Sequence, residues 1–196
     1  NMAWNFEQNF LWDGGAKSLE EQVSDPIENV IEMNNTWPNA LATLQATTTY
    51  PELFSQAFGT STITKELVTK AIAQFERTMI SGNSRFDQYL LGDQNVVTAS
   101  EINGFNIFMD EERGDCFHCH GSDSNPIWAD NIFHNNGLDS SFDDMGLGAI
   151  TGDPLDNGKF KSPSLRNLAY TGPYMHDGRF ETLDEVITHY SEGLVY

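Results

Sequence analysis

The run Cys116-Phe117-His118-Cys119-His120 contains both cysteines of the chain, and a histidine follows the second directly. Two thiols at this spacing can add to the two vinyl groups of one haem while the adjacent imidazole ligates the iron. A chain that does this must enclose a large flat group, and a helix expected over Ala99 to Met109, just before the motif, suits a small cytochrome c domain. Two other chemistries use such cysteines. A thioredoxin-like dithiol should follow a strand in a βαβ pattern, and half a zinc site needs two further ligands. The flanking sequence lacks the first context, and for the second only His134 stands near, with no fourth ligand at the usual spacing.

The rest of the chain reads as mostly α, with long loops. Ser18 with Glu21, Thr98 with Glu101, and Thr182 with Glu185 form capping boxes, each opening a helix. Pro51 suits a first helical position before Glu52 to Phe58, and Gly59 a left-handed stop. Thr64 can cap the longest helix, where Leu67, Val68, Ala71, Ile72, Phe75 and Met79 recur at helical steps and predict one buried face before the Ser81-Gly82 stop. Leu183, Val186, Ile187 and Tyr190 share a face of the last helix. Asp93 to Val97 reads as a linker, which predicts a domain boundary near residue 95 and units over 1–95 and 96–196. Residues 121–163, rich in Gly, Asp, Asn and Ser, read as loops of the kind that often carry sites.

Composition narrows the partners. With 196 residues the chain holds one large domain or two small ones, and 39% hydrophobic and 12% aromatic residues support a real core. A formal charge of -19 would repel phosphate backbones and anionic membranes, so nucleic acid is not an expected partner. That charge suits a solvated acidic surface more readily than a docking face for a basic partner. The chain has no apolar run long enough to span a bilayer and no leader-like start, so it is not expected to span a membrane. It begins at Asn1 and stops directly after a helix, so processing or truncation is expected and the missing leader is uninformative.

A haem iron needs a decision about its sixth position, since an open site allows peroxide chemistry and a filled one favours electron transfer. Met175, His176, His189 and Tyr190 are candidates, and spacing does not choose among them. Tyr190 also reads as a core residue of an amphipathic helix, and Met175, near Pro173, as ordinary packing.

Over nearly its whole length the chain resembles the bacterial di-haem cytochrome c peroxidases and MauG. The resemblance rests on Leu11-Trp12-Asp13-Gly14, Glu32-Met33, Cys116 to His120, Phe160 to Asn167, and Pro173-Tyr174-Met175-His176-Asp177-Gly178, in family order. It implies two cytochrome c-like domains. The motif here corresponds to the electron-transferring one, and residues 1–95 to the part of the peroxidatic domain after its own haem attachment site, whose cysteines are not in this sequence.

Residue by residue, the resemblance makes Cys116 and Cys119 the thioether cysteines and His120 the proximal ligand. Trp12 becomes an electron relay between two haems, Glu32 the distal acid and Gln22 its hydrogen-bonding neighbour. One carboxylate can take a proton from peroxide and return it to the departing oxygen. Thr171 and Pro173 match positions whose carbonyls bind calcium. The sixth ligand of classical members is a methionine, and an ungapped count from Pro173 puts Tyr190 there, as in MauG; a phenolate would make a low-potential haem.

The activity so implied is a periplasmic haem peroxidase, reducing hydrogen peroxide to water with electrons passing through this chain's haem c, and with a second haem expected in the full-length protein. A small cytochrome c or cupredoxin would be the donor. In a MauG-like role, aromatic residues of a protein substrate would be oxidised instead. A homodimer is a further expectation. The competing class is a non-enzymatic electron-transfer cytochrome.

Overall fold

The computed structural model describes residues 4–5 and 9–195, and helices dominate it. Ser18 Oγ accepts from the Glu21 N–H and starts α1 (Leu19–Gln22), which continues into α2 (Ser24–Glu28). The reciprocal arm of this capping box differs from the expectation: the Glu21 carboxylate accepts from the Lys17 N–H at 2.7 Å, one residue before the cap. Thr36 caps α3 (Trp37–Gln45), with Pro38 in its first turn. Next, α4 (Thr49–Phe58) begins two residues before Pro51 and stops at Gly59, whose φ of 75° a residue with a Cβ rarely adopts. Thr64 caps α5 (Lys65–Thr78).

Val23, Ile27, Trp37, Phe54, Ile63 and Val68 close into one core, with Leu41, Leu44 and Leu67 packed around it. Each such side chain contributes roughly 1.5–3 kcal/mol by leaving water. Arg77, near the end of α5, pairs with Glu20 of α1 at 2.9 Å and holds the two helices together. On α5 the buried residues are Val68, Thr69 and Ala73, with Leu67 packed against the core, so the start of the predicted face is buried as expected and its continuation is not. Ile72, Phe75 and Met79 instead form an exposed apolar stripe, because only the Val68 side meets α1 and the core.

Residues on both sides of position 95 pack together. Ser84 and Asp87 complete a capping box on α6 (Arg85–Leu90), Arg85 pairs with Glu101 of α7 (Ala99–Phe108), and Phe86 meets Phe105 edge-on at 5.0 Å. Both rings lean on Trp128. After α8 (Phe117–His120), the loop region carries short elements that the reading as loops did not anticipate. β1 (Phe133–His134) pairs antiparallel with β2 (Phe160–Lys161), and α9 (Leu147–Thr151) lies between them. The last helix is α10 (Leu183–Glu192), opened by the complete Thr182–Glu185 capping box. Leu183, Ile187 and Tyr190 of α10 are exposed, and His189 is the buried residue of that helix. Among the described residues, no helix is long and apolar enough to cross a membrane.

Candidate haem site

The short helix α8 sets the geometry, since it places Cys116 at its N-cap and Cys119 one turn further on. Both cysteines are free and half-buried. The Cys119 carbonyl accepts from Ser162 Oγ at 2.7 Å and from the Asp130 N–H at 2.9 Å, so two distant segments clamp the motif in place. Burial raises both thiol pKa values, with help from Asp115 at Cys116 and from Asp130 at Cys119. A thiol–disulfide catalyst needs the opposite shift, so the thioredoxin-like alternative loses its chemical basis.

His120 has the environment of a metal ligand. Its Nδ1 meets the Trp128 carbonyl at 3.2 Å, which fixes the ring and leaves Nε2 with its lone pair. Burial lowers its pKa, against the Trp128 and Pro163 carbonyls, and so favours the neutral imidazole that a metal requires. The zinc alternative also fails. His134 turns its Nε2 to Asp130 at 2.7 Å, and no group of three or more His, Cys, Asp or Glu side chains among the described residues could hold a metal ion. Two thiols one turn apart beside an oriented neutral histidine fit haem c.

The candidates for the sixth position separate by their partners. Buried His189 is engaged through Nε2 with the Asn136 carbonyl at 3.1 Å, and His176 lies flat on Phe160 with ring centres 3.6 Å apart. Met175 and Tyr190 converge: Asn136 Nδ2 stands 3.5 Å from the Met175 sulfur and 3.5 Å from the Tyr190 hydroxyl. Although Tyr190 is 47% exposed as a whole, desolvation at its hydroxyl end raises its pKa, and the Asn136 amide opposes that shift. Met175 holds a φ of 72°, unusual for a residue with a side chain, within a bridge between Tyr174 and Phe180.

Trp12 belongs to a cleft of about 390 Å³ shared with Ile127, Ala129, Lys161 and Pro163, and its carbonyl accepts from the Lys161 N–H. The cleft adjoins the segments whose Trp128 and Pro163 carbonyls face His120. Gln22 lies in α1, and Glu32 is exposed on the turn after α2, where its carboxylate accepts from Asn29 Nδ2 at 2.8 Å. Both belong to the N-terminal helices rather than to the walls around Cys116. Thr171 and Pro173 lie on either side of Gly172 on an exposed turn, where the Gly172–Pro173 peptide bond is cis. Two carbonyls supply a minority of the six to eight oxygens that calcium takes, so these residues do not make a calcium site by themselves.

Two contributors were not singled out from the sequence, and a third, Ser162, stood only as one member of the Phe160 to Asn167 run with no role given to it. Trp128 acts through a backbone carbonyl, Ser162 through a bond to one, and Asn136 through an amide; neither Trp128 nor Asn136 carries a local motif that would have exposed it.

The model of the family described as di-haem cytochrome c peroxidase matches residues 1–95. The MauG protein of Methylophilus methylotrophus is 40% identical over 100% of this chain and 57% of its own length. The chain belongs to the di-haem cytochrome c peroxidase and MauG family. That membership implies haem c as cofactor. The cytochrome c551 peroxidase of Nitrosomonas europaea is 35% identical over 95% of the chain and 55% of its own length. A solved MauG-like protein associated with microbial copper homeostasis superposes with a TM-score of 0.83 at 36% identity, over 94% of this chain and 59% of that one. The di-haem peroxidase BthA of Burkholderia thailandensis, at 24% identity and a TM-score of 0.80, shares the fold. The chain spans a little over half the length of these curated relatives.

Proposed function

We propose that this chain is the haem c-bearing part of a periplasmic di-haem peroxidase that reduces hydrogen peroxide to water. The observation that carries the reading is the arrangement at α8: two free thiols one turn apart and a neutral His120 whose Nδ1 is held by Trp128. The chain has cysteines for one haem, whereas its family is di-haem, so the second haem is assigned to a part of the protein outside these residues. Residues 1–95 form the remainder of the peroxidatic unit in this reading, and 96–196 the electron-transferring unit.

Haem attached here supplies reversible one-electron chemistry. Cys116 and Cys119 would anchor it and His120 would ligate it, with Tyr190 as the second protein ligand and a correspondingly low potential. Trp12 offers an indole as a stepping point for electrons on the His120 side. Glu32 would take a proton from peroxide and return it to the departing oxygen, with Gln22 as a second polar side chain contributed by the N-terminal helices. The reductant is a small cytochrome or copper protein, or, in the MauG-like variant of this reading, aromatic side chains of a protein substrate. The identity to MauG and the place of Tyr190 favour keeping that variant.

Haem-stained denaturing gels and intact mass of the native full-length protein count its covalent haems. Two haems with peroxide consumption are expected, and candidate donors then separate the two variants. One haem without peroxide turnover would leave an electron-transfer cytochrome instead.

A further inference from the structure

The loop between β1 and α9 is joined once to α10 and once to the segment that follows it. His189, buried to 6% exposure, donates through Nε2 to the Asn136 carbonyl at 3.1 Å, and the Val195 N–H donates to the Gly137 carbonyl at 2.8 Å. These ties fix the backbone of Asn136 against the helix that carries Tyr190. The side chain of Asn136 then reaches the Met175 sulfur and the Tyr190 hydroxyl, each at 3.5 Å. A thioether accepts and has nothing to donate, so the amide nitrogen is the end that faces it. Its two hydrogens can serve both neighbours.

We propose that Asn136 is a positioning residue that sets which donor is presented to the iron, holding the Met175 sulfur to the wall and the Tyr190 oxygen in place. This rests on the reading that Cys116, Cys119 and His120 carry haem and that Tyr190 completes its coordination. The amide engages the thioether, which removes the competing soft donor. It also gives the phenol oxygen a hydrogen bond that strengthens once that oxygen is anionic. Losing a hydrogen bond of this kind should shift the ratio of tyrosine-ligated to methionine-ligated forms about tenfold, or roughly 1.4 kcal/mol.

The test uses the full-length holoprotein carrying Asn136→Leu or the nearly isosteric Asn136→Asp, each also combined with Met175→Leu. Haem staining and intact mass report attachment, while electron paramagnetic resonance, near-infrared bands and redox titration report the axial ligand. The expected result is unchanged attachment with a methionine-ligated signature and a higher potential in both single variants. Met175→Leu should abolish that signature in the double variants. Asn136→Asp covers the case in which Asn136→Leu does not accumulate, because it keeps the shape and replaces the donor with an acceptor. Native spectra and potential in a haem-bearing Asn136 variant would overturn the proposal. If Tyr190→Phe left the spectrum of the otherwise native protein unchanged, the ligand assignment beneath it would fall instead, and the proposal with it.

Discussion

Between Ser18 and Thr78, buried apolar side chains from several helices touch one another and form a core without help. Between Cys116 and Val195 every element but α10 is short, and many ties are hydrogen bonds to backbone carbonyls. Ser162 reaches Cys119, Ser164 reaches Ile127, Arg166 reaches Pro126, and Asn125 reaches Ala129 at 2.7 Å. Leu183, Ile187 and Tyr190 meanwhile stay exposed on α10. The first region is ordered by its own packing; the second holds a polar frame around apolar surface that a large flat group would cover.

Removing the group is the strongest way to break this contrast. Cys116→Ser with Cys119→Ser should abolish covalent haem and cost on the order of 4 kcal/mol, roughly 10 °C in melting temperature. Near-ultraviolet signals of the C-terminal aromatics should collapse while the helices before Thr78 persist. Equal loss in both regions would show that they are not ordered separately. Phe54→Ala should cost about 3 kcal/mol in denaturant titration and leave the haem spectrum unchanged, since its cavity opens in the first core.

The ion pair between Asp87 and Arg166, 2.8 Å apart and largely shielded, joins α6 to the loop after β2. The Arg166 guanidinium holds the Asp87 carboxyl well below the usual carboxylate range, and Ser84 helps. A lowered folded pKa means that the unfolded chain binds the proton first. The contribution is therefore complete above about pH 4 and is lost as pH falls further toward the depressed value. Asp87→Asn should cost about 2 kcal/mol at neutral pH and flatten that acid limb in melts taken across the range. The smallest effect is expected from Thr182→Ala, about 1 kcal/mol from the lost cap of α10, seen as earlier fraying in hydrogen exchange of that helix.

Much of the helical framework was legible because helix signals are local. Thr64, Thr98 and Thr182 each cap the helix that begins after them, and Gly59 ends one. The continuation of the buried face of α5 was not legible, because periodicity shows that apolar residues share a side but not which side meets a neighbour. Likewise, Ser84 with Asp87 escaped notice as a capping box because its third position holds Asp rather than Glu. At the site, Cys116, Cys119 and His120 were readable from their spacing. The choice among Met175, His176, His189 and Tyr190 was not, since all four stand in one short stretch.

By itself the sequence placed two thiols and an imidazole within one helical turn at α8, because their spacing fixes their mutual reach whatever surrounds them. It also determined where most long helices begin, because caps act within four residues. Only the tertiary structure decided that His189 and His176 are committed to Asn136 and Phe160, and that Asn136 stands between Met175 and Tyr190. Those contacts join residues far apart along the chain, and their partners come together only once the loops are pinned to one another and to α10.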